Sequence, residues 1–294
     1  MPAKNLSAFN AELKPSTELF LIDRKQVVPM PWAQWAAEIV NKGYAIVTIT
    51  PSMQTDFREM QKLIDGVTIS EKKKFSFVER TDGFYPVGYS YLKSVVNSDL
   101  CETFNYWKRY KAEHAAWDFS QTDFYARAES YEAQAARYGQ HLIEAIGDHY
   151  GYTEKIDIGR DSYLQFNHYR EELRASGRKY LQQRHEDGHL LTIIKPNGPG
   201  LVIYIDDTEC LVDLGPDQAI VISGSLLTLL TEGDIEPTYH AVVNFTLPVA
   251  RCSVVYNINV LVSQLPGMRS GRNIEIFEPA NAQHMQFGHN PLAQ

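Results

Sequence analysis

From Asp161 onward the chain breaks into short β-branched runs, DSYLQFNHYR, LLTIIK, GLVIYID, ECLVDL, QAIVIS and RCSVVYNINV, each parted from the next by Gly, Pro, Asn or Asp. A single strand of that length cannot bury its own apolar face, so such runs close into a sandwich or a barrel. The first half reads differently. Glu18 to Asp23 and Tyr44 to Ile49 read as strands, whereas Pro31 to Lys42 sets Trp32, Trp35, Ala36 and Ile39 at helical spacing and stops at Gly43, which suits a left-handed cap. Pro51 to Asp65 predicts a helix opened by its proline, and Gln121 to Tyr150 a long alanine-rich one. Helices in front of strands predict the α+β class, with a double-sheet jelly-roll core. No repeat, low-complexity tract or linker interrupts the chain, so one domain is expected over residues 1–294, mainly helical over 1–160, jelly roll over 161–265 and a polar, irregular tail over 266–294.

Charge narrows the function. With 28 Lys and Arg against 36 Asp and Glu, the net charge of -8 opposes a nucleic-acid partner. The longest apolar run, Gln218 to Leu230, is broken by Ser223, Gly224 and Ser225, well short of the roughly 20 residues a membrane span needs. Met1 to Leu13 has no apolar signal core, and Cys101, Cys210 and Cys252 are too few and too scattered for a disulfide framework. A cytoplasmic protein with reduced cysteines is expected. The sequence leaves its oligomeric state open.

The chemistry concentrates around His185-Glu186-Asp187. In a strand, residues two apart share a face, so an imidazole and a carboxylate would stand side by side. A third ligand must come from elsewhere, and His240 in TYHAVVNF is the candidate. Two histidines and one carboxylate on one face of an octahedron leave three positions open, the arrangement of non-haem Fe(II) oxygenases. Arg251 and Ser253 open RCSVVYNINV and also share a face, where a guanidinium fork and a hydroxyl can clamp a carboxylate. Asn167 and Tyr169 form a further alternating pair on the strand before the histidine motif.

Asn167/Tyr169, His185/Asp187, His240 and Arg251/Ser253 follow the order N-x-Y, H-x-D, distal His, R-x-S, and in this the chain resembles the isopenicillin N synthase-type family of Fe(II)- and 2-oxoglutarate-dependent dioxygenases. Weaker echoes are GYAIVTI at Gly43, SEKKKF at Ser70, GYSYL at Gly88 and DLCETF at Asp99. The resemblance implies a cupin-like double-stranded β-helix and an Fe(II) ion on His185, Asp187 and His240. It further implies 2-oxoglutarate as cosubstrate, its distal carboxylate on Arg251 and Ser253 with Tyr169 and Asn167 assisting, and O2 as oxidant. The implied reaction removes hydrogen from a C–H bond of a small-molecule metabolite, by hydroxylation, desaturation or oxidative cyclisation, giving succinate and CO2, as in specialised metabolism. The chain departs from the pattern at His168-Tyr169-Arg170, where relatives often have Tyr-Tyr-Pro, and at Gly224-Ser225, where they often have Gly-Asp. Relatives that oxidise without the cosubstrate keep the same R-x-S pair, so an oxidase of the isopenicillin N synthase or ACC oxidase kind stays open, as does a metal-free jelly-roll binding protein.

Other residues carry weaker expectations. His189 alternates with Asp187 and is a candidate substrate contact, with a hydrogen-bonded rim histidine as the alternative. Tyr89, Tyr91, Phe104 and Tyr106 fall in segments that line the substrate cavity in similar enzymes, though aromatic packing between the helical half and the barrel would use the same residues. Arg170, Arg184 and Lys195 suggest an amino-acid-like or other carboxylate-bearing substrate, against the default of solvated surface charges. His114, His141, His149, His284 and His289 have no partner pattern and are assigned nothing.

Overall fold

The computed structural model describes residues 20–23, 26–85, 99–171, 177–245, 250–286 and 291. A two-stranded ribbon, β1 (Phe20–Asp23) with β2 (Gln26–Pro29), leads into helix α1 (Trp32–Lys42), which Gly43 ends at φ 79°. After β3 (Tyr44–Thr48), Thr50 accepts a hydrogen bond from the Met53 amide and opens α2 (Pro51–Leu63) with its proline in the first turn. Helix α3 (Ile69–Lys74) starts on a capping box between Thr68 and Glu71, and is followed by β4 (Ser76–Phe77), β5 (Asp82–Tyr85), β6 (Glu102–Tyr106) and α4 (Lys111–His114). The long helix α5 (Asp123–Tyr150) begins two residues after the expected Gln121, because Thr122 accepts from the Tyr125 amide and so becomes the cap.

The strands of the second half are β7 (Tyr163–Tyr169), β8 (Tyr180–His185), β9 (Leu191–Pro196), β10 (Leu201–Ile205), β11 (Thr208–Leu211), β12 (Gln218–Ser223), β13 (His240–Val243) and β14 (Arg251–Ile258). They sort into two antiparallel sheets. The larger has eight strands in the order β3-β12-β9-β14-β7-β6-β5-β4, the smaller four in the order β11-β10-β13-β8. Strands β3 to β6 come from the half that reads as helical, and they extend the jelly-roll sheet at both edges.

Alternation along the strands gives the large sheet two distinct faces. Its outer face, with Val47, Phe104, Leu164, Phe166, Val221, Val254 and Tyr256, packs on α1, α2 and α5 in the main hydrophobic core. Helix α5 lies so close that a Cβ on Gly139 would sit 2.7 Å from Ile258 Cδ1. Asp56 of α2 ties the helices together by accepting from Arg127, Ser130 and Gln134 of α5. Towards the small sheet, Ile194, Ile220 and Ile222 meet Leu201, Ile203 and Val212 in a second apolar cluster. That cluster fills one end of the space between the sheets; the other end is polar and holds the site.

One polar group in the outer core titrates near neutrality. Burial pushes the Glu132 carboxyl of α5 up to about 7, against the opposing influence of nearby Lys108 and Tyr256. The folded chain thus holds a proton that the unfolded chain releases above about 4.5, so this contribution to stability is full below that pH and is lost as pH rises through 7. Glu132→Gln should therefore leave Tm nearly unchanged at pH 5 and raise stability at pH 8 by about 1–3 kcal/mol, read by thermal melts at both pH values.

The tail is more ordered than its composition suggests. Strands β15 (Gln264–Pro266) and β16 (Asn273–Glu275) pair, and a C-terminal helix, Phe277–Gln286, buries Phe277 and Ala280. Among the described residues no helix is long and apolar enough to cross a membrane.

Candidate functional site

Strand β8 runs YLQQRH and pairs with β13, with His185 directly opposite His240 and their ring centroids 4.2 Å apart. Cross-strand pairing, more than alternation within one strand, brings the imidazoles together. Asp187 is placed otherwise than the strand argument expects: β8 ends at His185, and Asp187 lies in the irregular segment beyond it. The carboxylate still reaches both rings, at 3.7 Å from His185 Nε2 and 3.8 Å from His240 Nε2.

The chain holds this turn from behind. Ser225 donates its amide to the Asp187 carbonyl, and a Cβ on Gly224 would fall 2.2 Å from the His189 carbonyl oxygen and 2.6 Å from that of Asp187. Glycine at 224 is therefore a steric requirement of the Asp187 turn, and the short helix Ser225–Leu230 anchors it.

Three features prepare the donors for a metal. His185 Nδ1 lies 2.7 Å from the Gln183 carbonyl and His240 Nδ1 3.4 Å from that of Thr238, which puts the protons on Nδ1 and leaves both Nε2 lone pairs facing Asp187. Burial, with the neighbouring His185 ring, pushes His240 down to about 4 against the attraction of Asp187. Burial acts to raise Asp187, but the imidazoles of His240, His185 and His189 and a bond from Thr192 hold it below the usual carboxylate range. The donor atoms of His185, Asp187 and His240 all lie within 4.8 Å of one another, and two imidazoles with one carboxylate suit a borderline divalent ion such as Fe(II).

Thr192 donates to Asp187 Oδ2 at 2.6 Å and is fully buried. Thr192→Val keeps the shape and removes the hydroxyl, so metal affinity should fall by roughly 10- to 100-fold with the fold retained. Titration with Fe(II) under anaerobic conditions, followed by metal analysis, reads the change.

Beside the triad, Arg251 and Ser253 stand opposite Tyr169 and Asn167 across β14 and β7. Arg251, Ser253 and Asn167 line the cavity, whereas Tyr169 packs beside it with Cys101, Leu181 and Val242. Arg251 is 2% exposed, its guanidinium lies 4.6 Å from the centre of the Tyr169 ring, and Nε donates to the Pro199 carbonyl. Its Nη1 is buried without a partner among the described residues. A buried guanidinium with an unpaired nitrogen has the chemistry to take a carboxylate or phosphate. Tyr169 donates to Gln182 at 2.6 Å, and Gln182 donates in turn to Asp99, whose carboxyl burial raises to about 6. Asn167 Oδ1 accepts from Thr103 and Gln165.

His185, Asp187, His240, Arg251, Ser253, Asn167 and His189 line one cavity. His189 Nδ1 is buried there without a partner among the described residues, and its ring meets Tyr163 edge-on at 5.7 Å. Two expected substrate contacts are not there. Phe104 and Tyr106 point to the opposite face of β6, where Phe104 packs on Phe124 and Tyr106 on Tyr125 of α5, because β6 turns the alternate residues Thr103 and Asn105 inward. Tyr89 and Tyr91 lie outside the described residues. Arg170 pairs with Glu102, Arg184 with Asp207, and Lys195 donates to the Gly215 carbonyl, so none of these cations lines the cavity.

The sequence reading missed the amides Asn105, Gln165, Gln182, Asn257 and Asn259, and Gln283 and His284 of the C-terminal helix, all of which line the cavity. Polar residues at alternate positions, Tyr163, Gln165, Asn167 and Tyr169 in DSYLQFNHYR and Arg251, Ser253, Asn257 and Asn259 in RCSVVYNINV, were the available signal.

No family model and no curated protein matches the sequence. Solved structures do match in fold. A full-length protein from Neurospora crassa, in complex with alpha-KG and thymine, superposes with a TM-score of 0.71 at 16% identity, covering 87% of this chain and 91% of that one. JOX2, in complex with 2OG, Fe and JA, gives 0.68 at 16% identity, covering 100% and 96%. A putative 2OG-Fe(II) oxygenase family protein from Caulobacter crescentus gives 0.67 at 19% identity, covering 87% and 95%. The chain thus has the fold of Fe(II)/2-oxoglutarate oxygenases, an antiparallel jelly-roll core with N-terminal helices packed against it, over nearly the whole length of these neighbours.

Proposed function

We propose that this protein is an Fe(II)- and 2-oxoglutarate-dependent oxygenase that removes hydrogen from a C–H bond of a small-molecule metabolite. The observation that carries this reading is the convergence, in one cavity, of the His185–Asp187–His240 donor set with the buried, incompletely paired guanidinium of Arg251. A metal-binding or anion-binding protein would need one of these; the cosubstrate needs both, a chelating end at the metal and a carboxylate at the far end. Neighbours of the same fold were crystallised with that cosubstrate.

His185 and His240 would bind iron through Nε2 and Asp187 through its carboxylate, while Thr192 and the backbone carbonyls of Gln183 and Thr238 keep those atoms oriented. Held there with 2-oxoglutarate and O2, iron would supply an oxidant able to take hydrogen from a C–H bond, with succinate and CO2 as the coproducts. Arg251 and Ser253 would hold the distal carboxylate, with Tyr169 stacked under the guanidinium and Asn167 alongside. Leu201, Val242 and Ile194 line the same cavity and limit water around the clamp. The N-x-Y and R-x-S pairs favour the isopenicillin N synthase-type branch within these oxygenases.

The substrate is a small polar metabolite in this reading; the Neurospora crassa protein and JOX2 were crystallised with thymine and JA respectively. An amino-acid-like or carboxylate-bearing substrate draws less support, since Arg251 is the one guanidinium or ammonium among the described residues of the cavity wall. The test is succinate formation by the purified chain with Fe(II), 2-oxoglutarate and O2. The expected result is slow succinate release without substrate, dependent on all three components. Iron-loaded protein that releases no succinate, with or without candidate substrates, contradicts the reading.

A further inference from the structure

Inner-facing positions of a jelly roll are ordinarily core, and a buried amide there costs stability unless its donors and acceptors are met. Three strands of the large sheet nevertheless carry amides on that face. Asn105 of β6 stands opposite Gln165 of β7, and Asn257 of β14 stands opposite Tyr163 of β7 and Thr192 of β9. Their hydrogen bonds run in one direction: Asn257 Nδ2 donates to Gln165 Oε1, and Gln165 Nε2 donates to Asn167 Oδ1, which also accepts from Thr103.

The ladder is incomplete at one rung. Asn105 is 4% exposed, yet its Oδ1 is buried with no partner among the described residues. At its other end the ladder reaches the metal set, because Asn257 is the cross-strand neighbour of Thr192, whose hydroxyl holds Asp187. Arg251 lies six residues along β14 from Asn257, about 20 Å of extended strand, and the ladder meets the clamp only at Asn167, which stands opposite Ser253.

We infer that this amide ladder is the substrate-binding wall, and that it selects an uncharged group with a hydrogen-bond donor beside an acceptor, a carboxamide, lactam or cyclic imide, over a carboxylate. The inference rests on the oxygenase reading for what happens next to the bound group, and on the ladder alone for the selectivity. A donor N–H on the ligand would complete Asn105 Oδ1. A carboxylate would bring only acceptors to that oxygen and a charge to a wall with no cation beyond Arg251 among the described residues. Asn105 is thus a specificity-determining residue.

The test uses the full chain loaded anaerobically with Mn(II) and 2-oxoglutarate, with metal content measured first, and calorimetric titration of nicotinamide, nicotinate and thymine. Nicotinamide and nicotinate share a ring and differ in the amide. Nicotinamide or thymine should bind at least roughly tenfold tighter than nicotinate. Asn105→Asp, checked for an unchanged Tm, should raise that ratio by a further tenfold or so, since the charged oxygen still accepts the ligand N–H and repels the carboxylate of nicotinate. Nicotinate binding as tightly as nicotinamide, a ratio untouched or lowered in Asn105→Asp, or no binding of either amide at millimolar concentration overturns the inference. Protein that takes up no Mn(II) counts against the oxygenase reading instead; the same ratio is then expected of the metal-free chain, and its absence there overturns the inference.

Discussion

His185→Ala and His240→Ala are each expected to reduce 2-oxoglutarate turnover by roughly a thousandfold or more while the protein stays folded. The two effects separate because each ring spends its Nε2 on the cavity and not on the core. His240 is 5% exposed, but its hydrogen bond to the Thr238 carbonyl is a long contact, so truncation removes little native bonding. Stability should change by no more than about 1–2 kcal/mol, a typical effect for one side chain. The metal-bound state loses much more, because only two of the three protein donors then remain to hold the ion. Iron content and succinate formation measured on the same preparation check both halves. Turnover that survives in both variants contradicts the assignment of the ligands.

Arg251→Ala is expected to weaken 2-oxoglutarate binding by about 2 to 4 kcal/mol, roughly 30- to 1,000-fold, with iron uptake retained. The size follows from burial: at 2% exposure the guanidinium would meet a carboxylate with little water to screen the pair. Stability in the absence of 2-oxoglutarate should hold or rise, since the substitution removes a buried cation that the described residues leave incompletely paired. Arg251→Lys should recover only part of the loss, because an ammonium cannot reproduce the planar fork or stack on Tyr169. An unchanged 2-oxoglutarate affinity in Arg251→Ala would favour an oxidase in which this pair grips the substrate's own carboxylate.

The sequence makes some of this legible and hides the rest for physical reasons. Strands β9, β10, β12 and β14 are plain in the β-branched runs because at least one face of each is apolar core. Strand β8 is not, since YLQQRH turns Gln182 and His185 towards the cavity and has little core to fill; polar lining erases the hydrophobic signal where function is densest. The C-terminal helix is hidden likewise, FEPANAQHMQ offering only Phe277 and Ala280 to the core. The triad is readable from order and spacing, but the reasoning from a single strand is incomplete, because His185 and His240 meet across two strands and Asp187 lies on a turn set by Gly224. Phe104 and Tyr106 are misread by one position: bulk draws attention to them, and strand parity gives the cavity to Thr103 and Asn105.

The central claim is that the two imidazoles and one carboxylate hold a ferrous ion beside a cosubstrate clamp. Its most direct test is an anaerobic titration of the purified chain with Fe(II) and then with 2-oxoglutarate, followed by metal content and visible absorption. The expected result is one iron per chain, a weak visible charge-transfer band on adding 2-oxoglutarate, and loss of both in His240→Ala. A chain that binds no iron, or binds it equally well without His240, contradicts the claim.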